Sequence, residues 1–158
     1  MALTFNHQTN EISNEGLITV GGVTVGGDNT PPFYGPRGIY GGGYYSGYKN
    51  NIDYITIASA GNATDFGDLI EARSELAGGS NGTRGVFAGG VYGAAKNDIT
   101  YITIATTGNA TDFGDLTVAR NATGAVANTT RAVIGSGKNA SGQATNVMDY
   151  ITIATTGN

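Results

Sequence analysis

From residue 37 onward, short apolar runs alternate with polar, glycine-rich stretches and return at a fixed interval. The segment YITIA-(S/T)-x-GNATDFGDL runs from Tyr54 to Leu69 and again from Tyr101 to Leu116, and it begins a third time at Tyr150. Tyr54 and Tyr101 are 47 residues apart, as are Phe66 and Phe113, and Arg37, Arg84 and Arg131 follow the same step. Only the interval from Tyr101 to Tyr150 is longer, at 49. A period of this size marks a repeat architecture and takes precedence over any local reading.

Within one period the pattern predicts about four short strands and no helix. RGIYGGG, RGVFAGG and RAVIGSG are three versions of a short apolar strand that runs into glycines. A variable polar loop follows, and it holds the two extra residues of the third repeat. In IDYITIA, Ile52, Tyr54 and Thr56 share one face while Asp53, Ile55 and Ile57 share the other. Apolar residues on both faces predict a strand buried between neighbours. GNATDFGDL then predicts a turn leading to a strand around Phe66 and Leu69, and a last short strand is expected near Leu76 or Ala125. LIEARSELA has some helical character, but its counterpart LTVARNATGA is rich in Thr, Asn and Gly, which opposes a helix. Tyr54, Phe66, Tyr101, Phe113 and Tyr150 are the expected core anchors.

Residues 1–30 lie outside the period and read as an attachment segment. In LTFNH, Leu3 and Phe5 alternate with Thr4 and Asn6. Leu17 to Val25 predicts a hairpin around Gly21-Gly22, since two glycines supply the positive φ of a tight turn, with one strand and a glycine-rich exit as the alternative. Residues 31–36 read as a linker because Pro31, Pro32 and Pro36 oppose regular pairing. Residues 37–158 form the repeat domain.

Composition agrees with a folded all-β chain. There are 27 glycines and 3 prolines in 158 residues, and 13% of residues are charged, against about 25% in ordinary globular chains. The net charge of −4 leaves no basic face for nucleic acid. With no cysteine and one histidine, disulfides, thiolate metal sites and cysteine nucleophiles are excluded. No apolar run approaches the ~18 residues of a membrane span, and the opening MALTFNHQTNEIS has no signal-peptide pattern. The N-x-[ST] triplets, from Asn62 to Asn139, are read as products of composition and repetition.

Candidate chemistry is sparse. Asp65-Phe66-Gly67 and Asp112-Phe113-Gly114 spell a kinase motif without the rest of a kinase. Gly135-Ser136-Gly137-Lys138 lacks the first glycine and the following Ser or Thr of a phosphate loop. Asp65, Asp68, Asp112 and Asp115 offer oxygen ligands of the kind Ca²⁺ takes, but an Asp beside a Gly more simply caps a turn. A catalytic pair occurs once, whereas these carboxylates scale with the repeat, so no enzyme is expected. The Arg37, Arg84 and Arg131 series beside repeated Asp predicts ion pairs between repeats. Tyr34, Tyr40, Tyr44, Tyr45 and Tyr48 form a non-repeated concentration of tyrosine on a glycine-rich framework, the composition of a recognition surface for a protein or a sugar.

Gly42-Gly43, Tyr54, Phe66 with Leu69, and Arg73 stand in the order of a kelch blade, and Gly89-Gly90, Tyr101, Phe113 with Leu116, and Arg120 repeat it. The chain departs from kelch in using Phe for the usual Trp, in the spacing from Tyr to Phe, and in having Gly135-Ser136 in the third repeat. The fuller wording DYITIA…GNATDFGDL…AR…TRGVF resembles the kelch-like repeats of virion structural and tail-fibre proteins of marine tailed bacteriophages. That resemblance implies a β-propeller fold, with a β-sandwich as the alternative. It also implies a virion location and a role as a capsid decoration, adaptor or short fibre component. The alternative role is a host-receptor or carbohydrate-binding module. The implied partners are other virion proteins and further copies of the chain. A homo-oligomer also follows from the count: Arg37 to Asn158 holds about 2.6 periods, while propellers close with about four to eight blades. The Leu17–Val25 hairpin is a candidate to supply two of the missing strands.

Overall fold

The computed structural model describes residues 36–157 together with four strands nearer the N-terminus. The chain divides into two compact units, Met1–Phe33 and Tyr34–Asn158. In the first, β1 (Thr4–Asn6) pairs antiparallel with β2 (Glu11–Ser13), and β3 (Ile18–Val20) pairs with β4 (Val23–Val25). Val20 stands opposite Val23, so the β3–β4 pair flanks Gly21-Gly22. The glycines themselves, Pro31, Pro32 and Tyr34 lie outside the described residues.

The second unit is all-β, with no helix among the described residues. Its first sheet contains β5 (Arg37–Tyr44), β6 (Tyr48–Thr56) and β7 (Thr64–Asp68), in that order. The second is a four-stranded meander of β8 (Ala77–Ser80), β9 (Arg84–Ala88), β12 (Asp98–Thr103) and β13 (Thr111–Asp115). Between them β10 (Val91–Tyr92) and β11 (Ala94–Ala95) make a small hairpin. The third sheet contains β15 (Gly124–Ala127), β16 (Arg131–Gly135) and β18 (Met148–Thr152), with β14 (Arg120–Asn121) and β17 (Lys138–Asn139) paired beside it. None of the three sheets closes on itself. The antiparallel pairs β5–β6, β9–β12 and β16–β18 recur because each period supplies the same two apolar runs; the first sheet adds a strand on one side of its pair, the third on the other, and the second on both.

Two cores hold the sheets face to face. Ile52, Phe66 and Leu69 of the first repeat bury against Phe87 and Ile102 of the second. Val86, Ala88, Ile99, Phe113 and Leu116 of the second bury against Ala132, Ile134, Ile151 and Ile153 of the third. The middle sheet is thus covered on both faces. Side-chain volume is matched across each contact. Gly41 is bare where Phe87 arrives, and a Cβ there would lie 3.0 Å from the ring. One period on, Ala88 and the smaller Ile134 share one cluster. Close-packed interiors require this kind of complementarity.

A backbone corner recurs where each first apolar strand ends. Gly42, Gly89 and Ser136 have φ of 70°, 65° and 61°, and Gly43, Gly90 and Gly137 follow at 131°, 105° and 100°. The corner of the third repeat is therefore Ser136-Gly137, one residue beyond the pair read from the sequence. The corner is held from outside: the Gly43 and Gly90 N–H groups donate to the Arg73 and Arg120 carbonyls at 2.8 and 2.9 Å. Ser136 pays a left-handed penalty that its glycine counterparts avoid. Ser136→Gly is expected to stabilise the fold by roughly 0.5–1 kcal/mol, read as a higher urea midpoint; a lower midpoint would refute the corner assignment.

Candidate contact surface

The β5–β6 hairpin carries most of the tyrosines singled out from the sequence. Tyr44 and Tyr48 are direct cross-strand partners and close the turn Tyr45-Ser46-Gly47. Ser46 and Gly47 take positive φ, and the Tyr45 N–H donates to the Gly47 carbonyl at 3.0 Å, which fixes the tip. The Tyr44 and Tyr48 rings meet edge to face at 5.1 Å. Tyr48 makes a second edge-to-face contact, at 5.2 Å, with Tyr92 of the next repeat. Lys96 Nζ lies 5.6 Å from the Tyr92 ring centre and pairs with Glu71 at 2.8 Å. Tyr44, Tyr48 and Tyr92 therefore form one aromatic ladder that ends on an ion pair.

Exposure gives the ladder its interest. Tyr44 and Tyr45 are 68% and 82% exposed, and Tyr40 is 67% exposed. Tyr40 occupies the place of Phe87, which is buried against the preceding sheet, so Tyr40 stands on the face of the first sheet that turns away from the second. Sequence reading missed Tyr92, which sits in the variable loop; its adjacency to Tyr48 depends on how the two repeats pack.

The repeated arginines fall into two series. Arg37, Arg84 and Arg131 stack on Tyr54, Tyr101 and Tyr150 at 4.5, 4.5 and 5.0 Å. Arg37 Nη1 donates to the Ile104 carbonyl at 2.7 Å, and Arg84 Nη1 donates to the Ile153 and Ala154 carbonyls at 3.2 and 3.0 Å. The stacking holds each arginine within its own sheet, and Arg37 and Arg84 reach the next repeat through backbone carbonyls, which corrects the expected ion pairs with Asp. The ion pairs belong to Arg73 and Arg120, both buried. Arg120 Nη2 donates to Asp149 Oδ2 at 2.6 Å and to the Ile134 carbonyl at 3.0 Å. Arg73 Nη2 donates instead to Thr100 Oγ1 at 3.0 Å, with Asp98 at 3.7 Å from Nη1. Burial pushes the Arg73 guanidinium down from its ordinary pKa, against the opposing pull of Asp98 and Glu71.

Two sequence expectations are corrected. Asp65, Asp68, Asp112 and Asp115 lie inside β7 and β13, not in turns. Among the described residues, no group of three or more His, Asp or Glu is placed to hold a metal. Of the expected anchors, Phe66 and Phe113 are buried, with Tyr54 and Tyr101 half-buried against them at 6.0 and 6.1 Å. Tyr150, by contrast, is 67% exposed and anchors no core. The cause is local: among the described residues no strand covers β18 as β7 covers β6.

Surface depressions add little chemistry. One of about 170 Å³ is lined by Tyr101, Thr106, Gly108, Asn109 and Thr111, and one of about 370 Å³ by Tyr150, Thr152, Thr155 and Thr156; neither is lined by a charged side chain. No protein-family model matches the chain, and no curated protein matches it. Among the described residues, the β5–β6 hairpin with Tyr92 offers exposed aromatic contact area.

Proposed function

We propose that the chain is a structural component of a tailed-bacteriophage virion and works by protein–protein contact. The observation that carries this reading is the exposed tyrosine surface, Tyr40, Tyr44 and Tyr45 with the Tyr48–Tyr92 ladder behind it, on a stiff β-hairpin. Tyrosine supplies large amphipathic contact area at small entropic cost, and aromatic residues are enriched at the centres of interfaces. The resemblance of the repeat to phage virion proteins supports the choice of particle. In this reading the three sheets are successive kelch-like propeller blades, and the array is completed between subunits of a homo-oligomer. Purified virions of the parent phage, probed with an antibody to this chain, test it. The expected result is regular labelling of the particle; a chain abundant in infected cells and absent from purified particles would overturn it.

The exposed ring edges favour a second reading, a host-receptor or carbohydrate-binding module, because sugars stack on such rings. The variant Tyr44→Ala with Tyr45→Ala separates the two. Both side chains are exposed, so stability is expected to change by under about 1 kcal/mol. Under the structural reading, incorporation into particles falls while a glycan array stays blank. Selective glycan binding that the double substitution abolishes would establish the second reading instead.

A further inference from the structure

Two hairpin loops at equivalent places share one backbone design but differ in the residues around it. Asn81 lies between β8 and β9, and Asn128, 47 residues on, lies between β15 and β16. In each loop the Asn side chain folds over the turn. Asn81 Oδ1 accepts from the Thr83 and Arg84 N–H groups at 3.0 and 2.8 Å. Asn128 Oδ1 accepts from the Thr130 and Arg131 N–H groups, both at 2.8 Å. The flanking residues separate the two loops. Gly82 follows Asn81 where Thr129 follows Asn128, and Ser80 precedes Asn81 where Ala127 precedes Asn128. The Gly82 N–H donates to Ser80 Oγ at 2.9 Å. Asn81-Gly82 is also the one Asn-Gly pair in the sequence.

We propose that Asn81 is a self-modification site, at which the chain converts its own side-chain amide to a succinimide and then to aspartate or isoaspartate. The groups this needs are already gathered. The bond from the Thr83 N–H to Asn81 Oδ1 closes a small ring that contains both Asn81 Cγ and the Gly82 nitrogen, and holding two reacting atoms together makes their encounter intramolecular. The two N–H groups on Oδ1 polarise the carbonyl and face the negative charge that gathers there as the tetrahedral intermediate forms. Gly82 has no Cβ to crowd the attack. In the first step the Gly82 nitrogen bonds to Asn81 Cγ. Its proton passes through the Ser80 hydroxyl and water to Nδ2, and the Cγ–Nδ2 bond breaks with loss of ammonia. Water then opens the ring at either carbonyl. Opening at Cγ leaves an aspartate that keeps both acceptor bonds. Opening at the backbone carbonyl leaves an isoaspartate, which inserts a methylene into the main chain between β8 and β9. β8 has little room to absorb it, since a Cβ on Gly79 would lie 3.5 Å from the Cβ atoms of Ala127 and Ala132 in the third sheet. The isoaspartate form therefore loosens the contact between the second and third sheets.

The test ages the full chain in mildly alkaline buffer and follows each asparagine by peptide mapping and mass spectrometry. Asn81 is expected to convert at least about tenfold faster than Asn128, giving separate aspartate and isoaspartate peptides. Ser80→Ala is expected to slow it. Ala127→Ser together with Thr129→Gly rebuilds the site in the second loop and is expected to bring Asn128 up to the Asn81 rate. The isoaspartate fraction of the aged chain is expected to unfold at a lower urea midpoint than fresh protein. Conversion of Asn81 no faster than that of Asn128 would overturn the proposal, as would an Asn81 rate indifferent to Ser80→Ala in a chain of unchanged circular dichroism.

Discussion

Replacing Asp149 by alanine is expected to destabilise the fold by about 3–5 kcal/mol, because it strands a buried guanidinium. Arg120 is 0% exposed, and among the described residues Asp149 is its carboxylate partner, at 2.6 Å. Arg120 Nε and Nη1 already lack a hydrogen-bond partner among the described residues, so the site has no spare acceptor to offer. Asp149 also accepts from the Thr117 hydroxyl at 2.7 Å, which fixes its rotamer. The matching site one repeat earlier behaves differently. There the neutral Thr100 hydroxyl meets Arg73, and Asp98 stands 3.7 Å away with its side chain half exposed. Asp98→Ala is therefore expected to cost under about 1 kcal/mol, the ordinary value of a solvated pair. Urea unfolding of the two variants gives the comparison, and equal costs would sink it. The double variant Arg120→Met with Asp149→Ala should recover much of the loss, since an apolar pair removes the unmatched charge.

Phe113→Ala is expected to cost a similar amount, about 3–5 kcal/mol. Its ring sits in the core between the second and third sheets, with Ile99, Leu116 and Ile134 in the same cluster and Tyr101 edge-on at 6.1 Å. Phe66→Ala falls in the same range but is expected to be the milder of the two. Its cluster holds fewer buried side chains and borders the half-buried Ile39 and Leu76, which can relax into the space. Chemical denaturation of both variants reads the difference. A loss below about 1 kcal/mol at either site would show that the ring is not the core element its burial implies.

The period, the all-β character of the described residues and the burial of Phe66 and Phe113 were legible in the sequence, because each depends on residues close together in the chain. What escaped depends on the neighbouring repeat. Tyr150 sits in the same YITIATTG wording as Tyr101, yet its environment differs because no strand in the described residues covers it. A local pattern cannot encode that. The ion pairs were assigned to the wrong arginine series for the same reason. Arg37, Arg84 and Arg131 lie next to tyrosines that hold them by stacking, whereas Arg120 finds its carboxylate 29 residues away, in the following sheet. Asp65 and Asp112 were read as turn residues from the Gly beside them, but pairing with β6 and β12 outweighs that local preference. In the contact surface, the hairpin tyrosines stood out by composition, while Tyr92 joins them through packing alone.

Each repeat also finishes the one before it. The Gly108 and Ala110 N–H groups donate to the Phe66 and Asp68 carbonyls at 2.7 and 2.8 Å, and the Gly157 N–H does the same for Phe113 at 2.8 Å. The Asn109 side chain accepts from the Asp68 N–H, 41 residues back. On a ribosome, where chains emerge from the N-terminal end at about 5–20 residues per second, β7 therefore leaves the exit tunnel seconds before the loop that seals its edge. During that delay its N–H and C=O groups are open to any strand nearby. The nascent chain is thus most prone to mispair with neighbours on the same message at the moment between one repeat and the next, and slower translation lengthens that exposure.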